Sequence, residues 1–150
     1  MKVLFIFLSL ITFSCASANE KIIDNATVVS KTLTIVQEND KCYLLHNSLR
    51  YLLAPKPPCY FLRDSGNKPQ YFSYNDVGTD AVLIITGSPV SDEIRKEWGV
   101  SKDAVCGIES QGVIIKRNKI IITKNVLKGG VLCKDSGSDE KNFWYFAHGE

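Results

Sequence analysis

Two runs of β-branched residues, 113–115 and 120–123, flank the polar tetrapeptide Lys116-Arg117-Asn118-Lys119, and Cys106 and Cys133 bracket the whole stretch. β-branched side chains sit well on a pleated surface, and a polar break between two such runs reads as a hairpin. The stretch from 106 to 133 is therefore expected to form a β-hairpin, then a Gly129-Gly130 turn and a third short strand, closed by a disulfide.

The rest of the chain alternates in the same way between strand-like runs and turn clusters. Residues 19–26 read as a polar lead-in. Residues 27–36 (TVVSKTLTIV) read as a first strand, ended by Gln37-Glu38-Asn39-Asp40, and 42–45 as a second. Residues 49–53 fit a strand or a helical turn. Pro55-Lys56-Pro57-Pro58 then supplies few backbone donors and favours a stiff, extended connection into a strand at 59–62. Turn clusters at 64–69 and 75–80 flank an aromatic strand at 70–74. Residues 81–86 (AVLIIT) have no polar alternation, which predicts a central strand covered on both faces.

Gly87-Ser88-Pro89 breaks that strand, and a helix is expected over 91–98. Ser91 can cap it, Asp92 and Glu93 suit its positive end, and Gly99 stops it. Ile94 and Trp98, one turn apart, are expected to pack on the sheet. After a polar loop at 135–139, residues 142–148 (NFWYFAH) read as the last strand. The fold class is thus mainly β (α+β): one small antiparallel, sandwich-like domain of about seven to eight strands with one short helix.

The N-terminus changes the picture of where this domain works. Lys2, the apolar run 3–13 and Ala16-Ser17-Ala18 have the form of an export signal, with cleavage after Ala18 and an exported domain over 19–150. A lipoprotein acylated on Cys15 is the rival, but Thr12-Phe13-Ser14 fits it poorly. Beyond Cys15 four cysteines remain: Cys42, Cys59, Cys106 and Cys133. An even count in an exported chain predicts two disulfides, with sequence-local pairing preferred over the two alternatives. The periplasm or the extracellular space follows from both signs. Asn25-Ala26-Thr27 is a glycosylation sequon whose meaning depends on the host. No second apolar run reaches transmembrane length. The net charge of +2 gives no reason to expect a nucleic acid.

Candidate chemistry is thin. His46 and His148 are the two histidines, a pair that could serve as general base and acid in a secreted ribonuclease. No G-x-S-x-G elbow occurs, and the cysteines are expected to be oxidised. The Thr86-Gly87-Ser88-Pro89 turn lacks the glycines and the lysine of a phosphate loop. Asp135, Asp139 and Glu140 lack the continued spacing of a calcium loop, and no C-x-x-C suggests zinc. No cofactor or metal is expected. Two contact candidates stand out instead. One is the basic tip Lys116, Arg117 and Lys119. The other is the aromatic run Phe143, Trp144, Tyr145 and Phe146, which as a strand would send Phe143 and Tyr145 to one face and the other two to the opposite face. Tyr71, Phe72 and Tyr74 could extend an aromatic patch. The expected function is an exported, non-catalytic protein that binds another protein, such as an inhibitor or immunity protein. The alternatives are the His46/His148 ribonuclease and a structural envelope component.

Overall fold

The computed structural model describes residues 20–149. Nine strands and two α-helices occur among them. Strands β1 (Lys21–Val28), β2 (Lys31–Glu38), β3 (Lys41–His46) and β4 (Leu49–Leu52) form an antiparallel meander. The expected first strand over 27–36 is in fact a hairpin, and the supposed lead-in is β1. The turn falls at Val29-Ser30, both with positive φ (50° and 59°). Paired left-handed residues give a two-residue turn whose twist matches the strands, but it normally calls for Asn or Gly. Neither is present, so no turn signal could be read there.

The second sheet contains β5 (Tyr60–Phe61), β6 (Tyr71–Tyr74), β7 (Thr79–Pro89), β8 (Cys106–Lys116) and β9 (Lys119–Cys133). β5 and β6 share one side of β7, and β8 and then β9 follow on the other. Every residue of the 81–86 run is buried, as its unbroken apolarity predicts. Alternation divides the run between two cores. Ala81, Leu83 and Ile85 join Val113 and Ile115 against the four-stranded sheet. Val82, Ile84 and Ile114 face the other way, beneath helix α2 (Glu140–His148). Each fully buried aliphatic side chain here contributes about 1.5–3 kcal/mol.

Three further expectations are corrected by the packing. Residues 142–148 form a helix, not a strand. Asp139 caps it by accepting from the Lys141 N–H, and Phe143, Phe146 and Ala147 are buried at helical spacing. A strand could bury only alternate residues on one face, whereas this helix closes the second core. Strand β7 runs on through Gly87-Ser88-Pro89, so these residues do not break it. β9 continues through Gly129-Gly130, absorbing irregularity as register shifts against β8 instead of turning.

Helix α1 (Asp92–Trp98) has the expected Ser91 cap and Gly99 stop. It buries no residue, however, and Trp98 is 56% exposed, so Ile94 and Trp98 do not pack on the sheet as expected. Arg95 holds the helix to its own following loop through the carbonyls of Ser101 and Ala104.

The cysteines pair locally, Cys42–Cys59 and Cys106–Cys133, with sequence separations of 17 and 27. Loops of such size are worth about 3–4 kcal/mol each in the chain-entropy account. Cys42–Cys59 joins β3 to the segment entering β5, and Cys106–Cys133 is a directly opposed pair on β8 and β9. Asp24 adds a polar link between the sheets. Its buried carboxylate accepts from the Phe61 N–H at 3.0 Å and from Arg63 at 2.6 Å. Among the described residues no helix is long and apolar enough to cross a membrane.

Candidate functional site

The basic tip is built by geometry that the sequence predicts well. Lys116 ends β8, Lys119 begins β9, and Arg117-Asn118 makes the turn with φ of 47° and 65°. The Arg117 N–H donates to Asp80 Oδ2 at 2.9 Å, which ties the tip to β7. The side chains of Arg117 and Lys119 are exposed, and that of Lys116 is half-buried.

The aromatic run divides differently from the strand expectation. Phe143 and Phe146 lie wholly within the core, so neither offers a surface. Trp144 and Tyr145 are 53% and 40% exposed. Of the supposed extension, Phe72 packs on Phe143 at 4.9 Å and Tyr74 is buried, which leaves Tyr71 at the surface.

Trp144 is held in place by His148, one turn later on α2. The two rings stack at 4.1 Å with 15° between their planes. His148 Nδ1 meets the Trp144 carbonyl at 2.9 Å, and Nε2 meets Asp76 Oδ2 at 2.8 Å. Both partners are acceptors, so the ring is best satisfied with a proton on each nitrogen. The bond to Asp76 accordingly raises the His148 pKa above its usual value, and the same bond lowers that of Asp76. Tyr74, edge-on to the imidazole at 5.5 Å, is pushed up to about 12, chiefly by burial and then by the Glu140 and Asp76 carboxylates.

Of the expected contact residues Lys116 alone lines a cavity, which Ala147 and His148, just past the aromatic run, close from the other side. The cavity, of about 230 Å³, lies between the end of α2 and the base of the tip. Ile114 and Ile121, opposed across β8 and β9, line it from the sheet. Val77 and Ala147 line it from the 3-10 turn Asn75–Val77 and from α2, while Lys116 and His148 bring polar groups to it. Neither the tip nor the helix makes this cavity alone. Sequence reasoning missed Asp76 and Val77, which only the fold carries to the tip, and Ile121, two residues past Lys119, whose exposure the strand pattern does not reveal.

The two histidines are not brought together. His46 ends β3 in the four-stranded sheet, bonded to the Thr32 carbonyl and to Asn47. His148 sits in α2, which packs on the second sheet, and the two rings share no partner. With each nitrogen of His148 facing an acceptor, it also lacks a free lone pair for base catalysis.

A second polar cluster lies at the far end of β7. Ser88 has a left-handed backbone (φ 57°), accepts from the Lys56 N–H at 3.0 Å and donates to Glu109 Oε2 at 2.6 Å. Glu109 also faces Lys128 at 3.3 Å. The Ser88 bond holds the Glu109 carboxyl below its usual range. The arrangement pins an irregular piece of backbone between β7 and β8. In the loop before α2, Asp139 is the helix cap, and no group of three metal-binding side chains occurs among the described residues.

No protein-family model, curated protein or solved structure matches this chain.

Proposed function

We propose that the protein is an exported, non-catalytic binding protein, of the inhibitor or immunity type, that meets a protein partner through the β8–β9 tip and the exposed flank of α2. The observation that carries this reading is the convergence of two separate segments. Lys116 and His148 line one cavity, with Trp144 exposed beside it. Exposed aromatics beside cations, around a partly apolar hollow, have the composition of protein contact surfaces. Export fits the two disulfides, since paired cysteines persist in oxidising compartments. The leader over 1–18, its cleavage after Ala18 and the rival Cys15 anchor lie outside the described residues and belong to this proposal.

Site-specific photo-crosslinking in the native host tests the contact. A photoreactive residue at Tyr145 or Lys119 should capture one stoichiometric protein. The same group at Trp98, at the opposite end of β7 and β8, should not. Equal capture from both ends, or none from Tyr145 and Lys119, overturns the reading. The intact mass of the isolated protein tests export. It should lack residues 1–18 and contain no free thiol.

A further inference from the structure

We infer that the cavity between the β8–β9 tip and the end of α2 receives a branched aliphatic side chain from an acidic segment of the partner, with the flanking carboxylates set against Lys116, Arg117 and Lys119. This rests on the reading of that face as the contact surface and adds the chemistry of what it binds.

Ile114, Ile121, Val77 and Ala147 are apolar, and Ile121 is 36% exposed although it lies opposite the buried Ile114 on the same sheet face. α2 covers Ile114 but leaves its neighbour bare. An aliphatic side chain placed there would complete the core that the helix leaves open, removing apolar surface from water. The volume of about 230 Å³ is several times the ~30 Å³ one water takes up in the liquid. A small inorganic anion would make no use of such a lining.

Charge then selects the sequence around that side chain. Three cations occupy four successive positions at the tip. Of the nearby carboxylates Asp76 is matched by His148, and Asp80, which accepts from the neutral Arg117 backbone N–H, keeps one negative charge against the three positive ones. The rim therefore presents surplus positive charge to an incoming segment. Complementary charge speeds encounter and rejects basic partners.

Methyl NMR on the full processed protein tests this with the peptide acetyl-Glu-Asp-Leu-Glu-Glu-amide. Saturable shifts should appear at the methyls of Ile114, Ile121, Val77 and Ala147, with a Kd of about 1 mM, a range typical of weak single contacts. Replacing the peptide leucine by serine, or changing Lys116→Glu, should weaken binding roughly tenfold. Lys119→Glu serves as a second variant, and unshifted methyls elsewhere verify that each variant is folded. No shift at the cavity, or shifts indifferent to the leucine, overturns the inference. So does binding to phosphatidylglycerol vesicles in place of the peptide. If crosslinking at Tyr145 succeeds while the peptide leaves the cavity methyls unmoved, the contact surface stands and its proposed occupant falls.

Discussion

The two helices invert what their sequences promise. α1 has a serine cap, acidic residues in its first turn, a glycine stop and an i, i+4 apolar pair, yet it buries nothing. α2 contains four consecutive aromatics, residues that favour strands, yet it is the lid of an entire hydrophobic core. Capping signals tell whether a segment starts and stops as a helix. They do not say whether a core needs it. α1 is anchored by polar bonds to its own loop, whereas α2 is anchored by Phe143 and Phe146 over the exposed face of the second sheet.

That contrast can be broken by mutation. The largest effect is expected from Phe146→Ala. Removing a fully buried ring should lower global stability by about 3–5 kcal/mol, read by urea unfolding. An unchanged midpoint would mean that α2 is not part of the cooperative core. Gly112→Ala approaches the same contact from the sheet. Its new Cβ would lie 2.7 Å from Phe146 Cγ and 2.8 Å from Thr123 Cγ2, closer than packing tolerates. Overpacking of this kind should cost about 1–3 kcal/mol.

The caps offer a matched pair. Asp139→Ala should lower global stability by about 1 kcal/mol because α2 unfolds with the core. Ser91→Ala removes a similar bond, but α1 can fray by itself, so the change should appear in local hydrogen exchange and not in the global midpoint. Trp98→Ala should stay within about 0.5 kcal/mol of the wild type.

The smallest effect is pH-dependent. His148 is raised above its usual value of 6.5, so its contribution is full below that pH and is lost as pH rises through the folded value. Asp76 is lowered from 3.8, so its contribution is full above that pH and is lost as pH falls through its folded value. The pair should therefore strengthen α2 most between about pH 4 and 6.5. The difference in melting temperature between wild type and His148→Gln should be widest near pH 5.5 and narrower at pH 8.5. A difference that grows with pH would contradict the assignment.

The sequence was informative where one physical demand acted alone. The AVLIIT run specified a strand buried on both faces, and the polar gap between β-branched runs specified the β8–β9 turn. Local cysteine spacing led to both disulfides. It misled where demands competed. Val29-Ser30 turns without a turn residue because the alternation on either side, Ala26 and Val28 inward and then Leu33 and Ile35 inward, fixes the register. In α2 the aromatic strand preference masked an available sign: Asp139 as cap, with Phe143, Phe146 and Ala147 at spacings of three and four. The candidate site was half legible. Lys116, Arg117, Lys119, Trp144 and Tyr145 were named from sequence, but the cavity beside them depends on Val77, held next to Asp76 far from both segments in the chain, and on Ile121, whose exposure only the packing of α2 decides.

The position of α2 has a consequence for biogenesis. A ribosome delivers residues 79–127 well before 140–148, so β7 and β8 can pair while Val82, Ile84 and Ile114 still lack their cover. During that interval the nascent sheet presents an adhesive face to its surroundings. A chaperone that holds the chain until the helix is available would shield it. A nonsense codon ahead of residue 140 would make that transient hazard permanent, yielding a product prone to clump even with both disulfides in place.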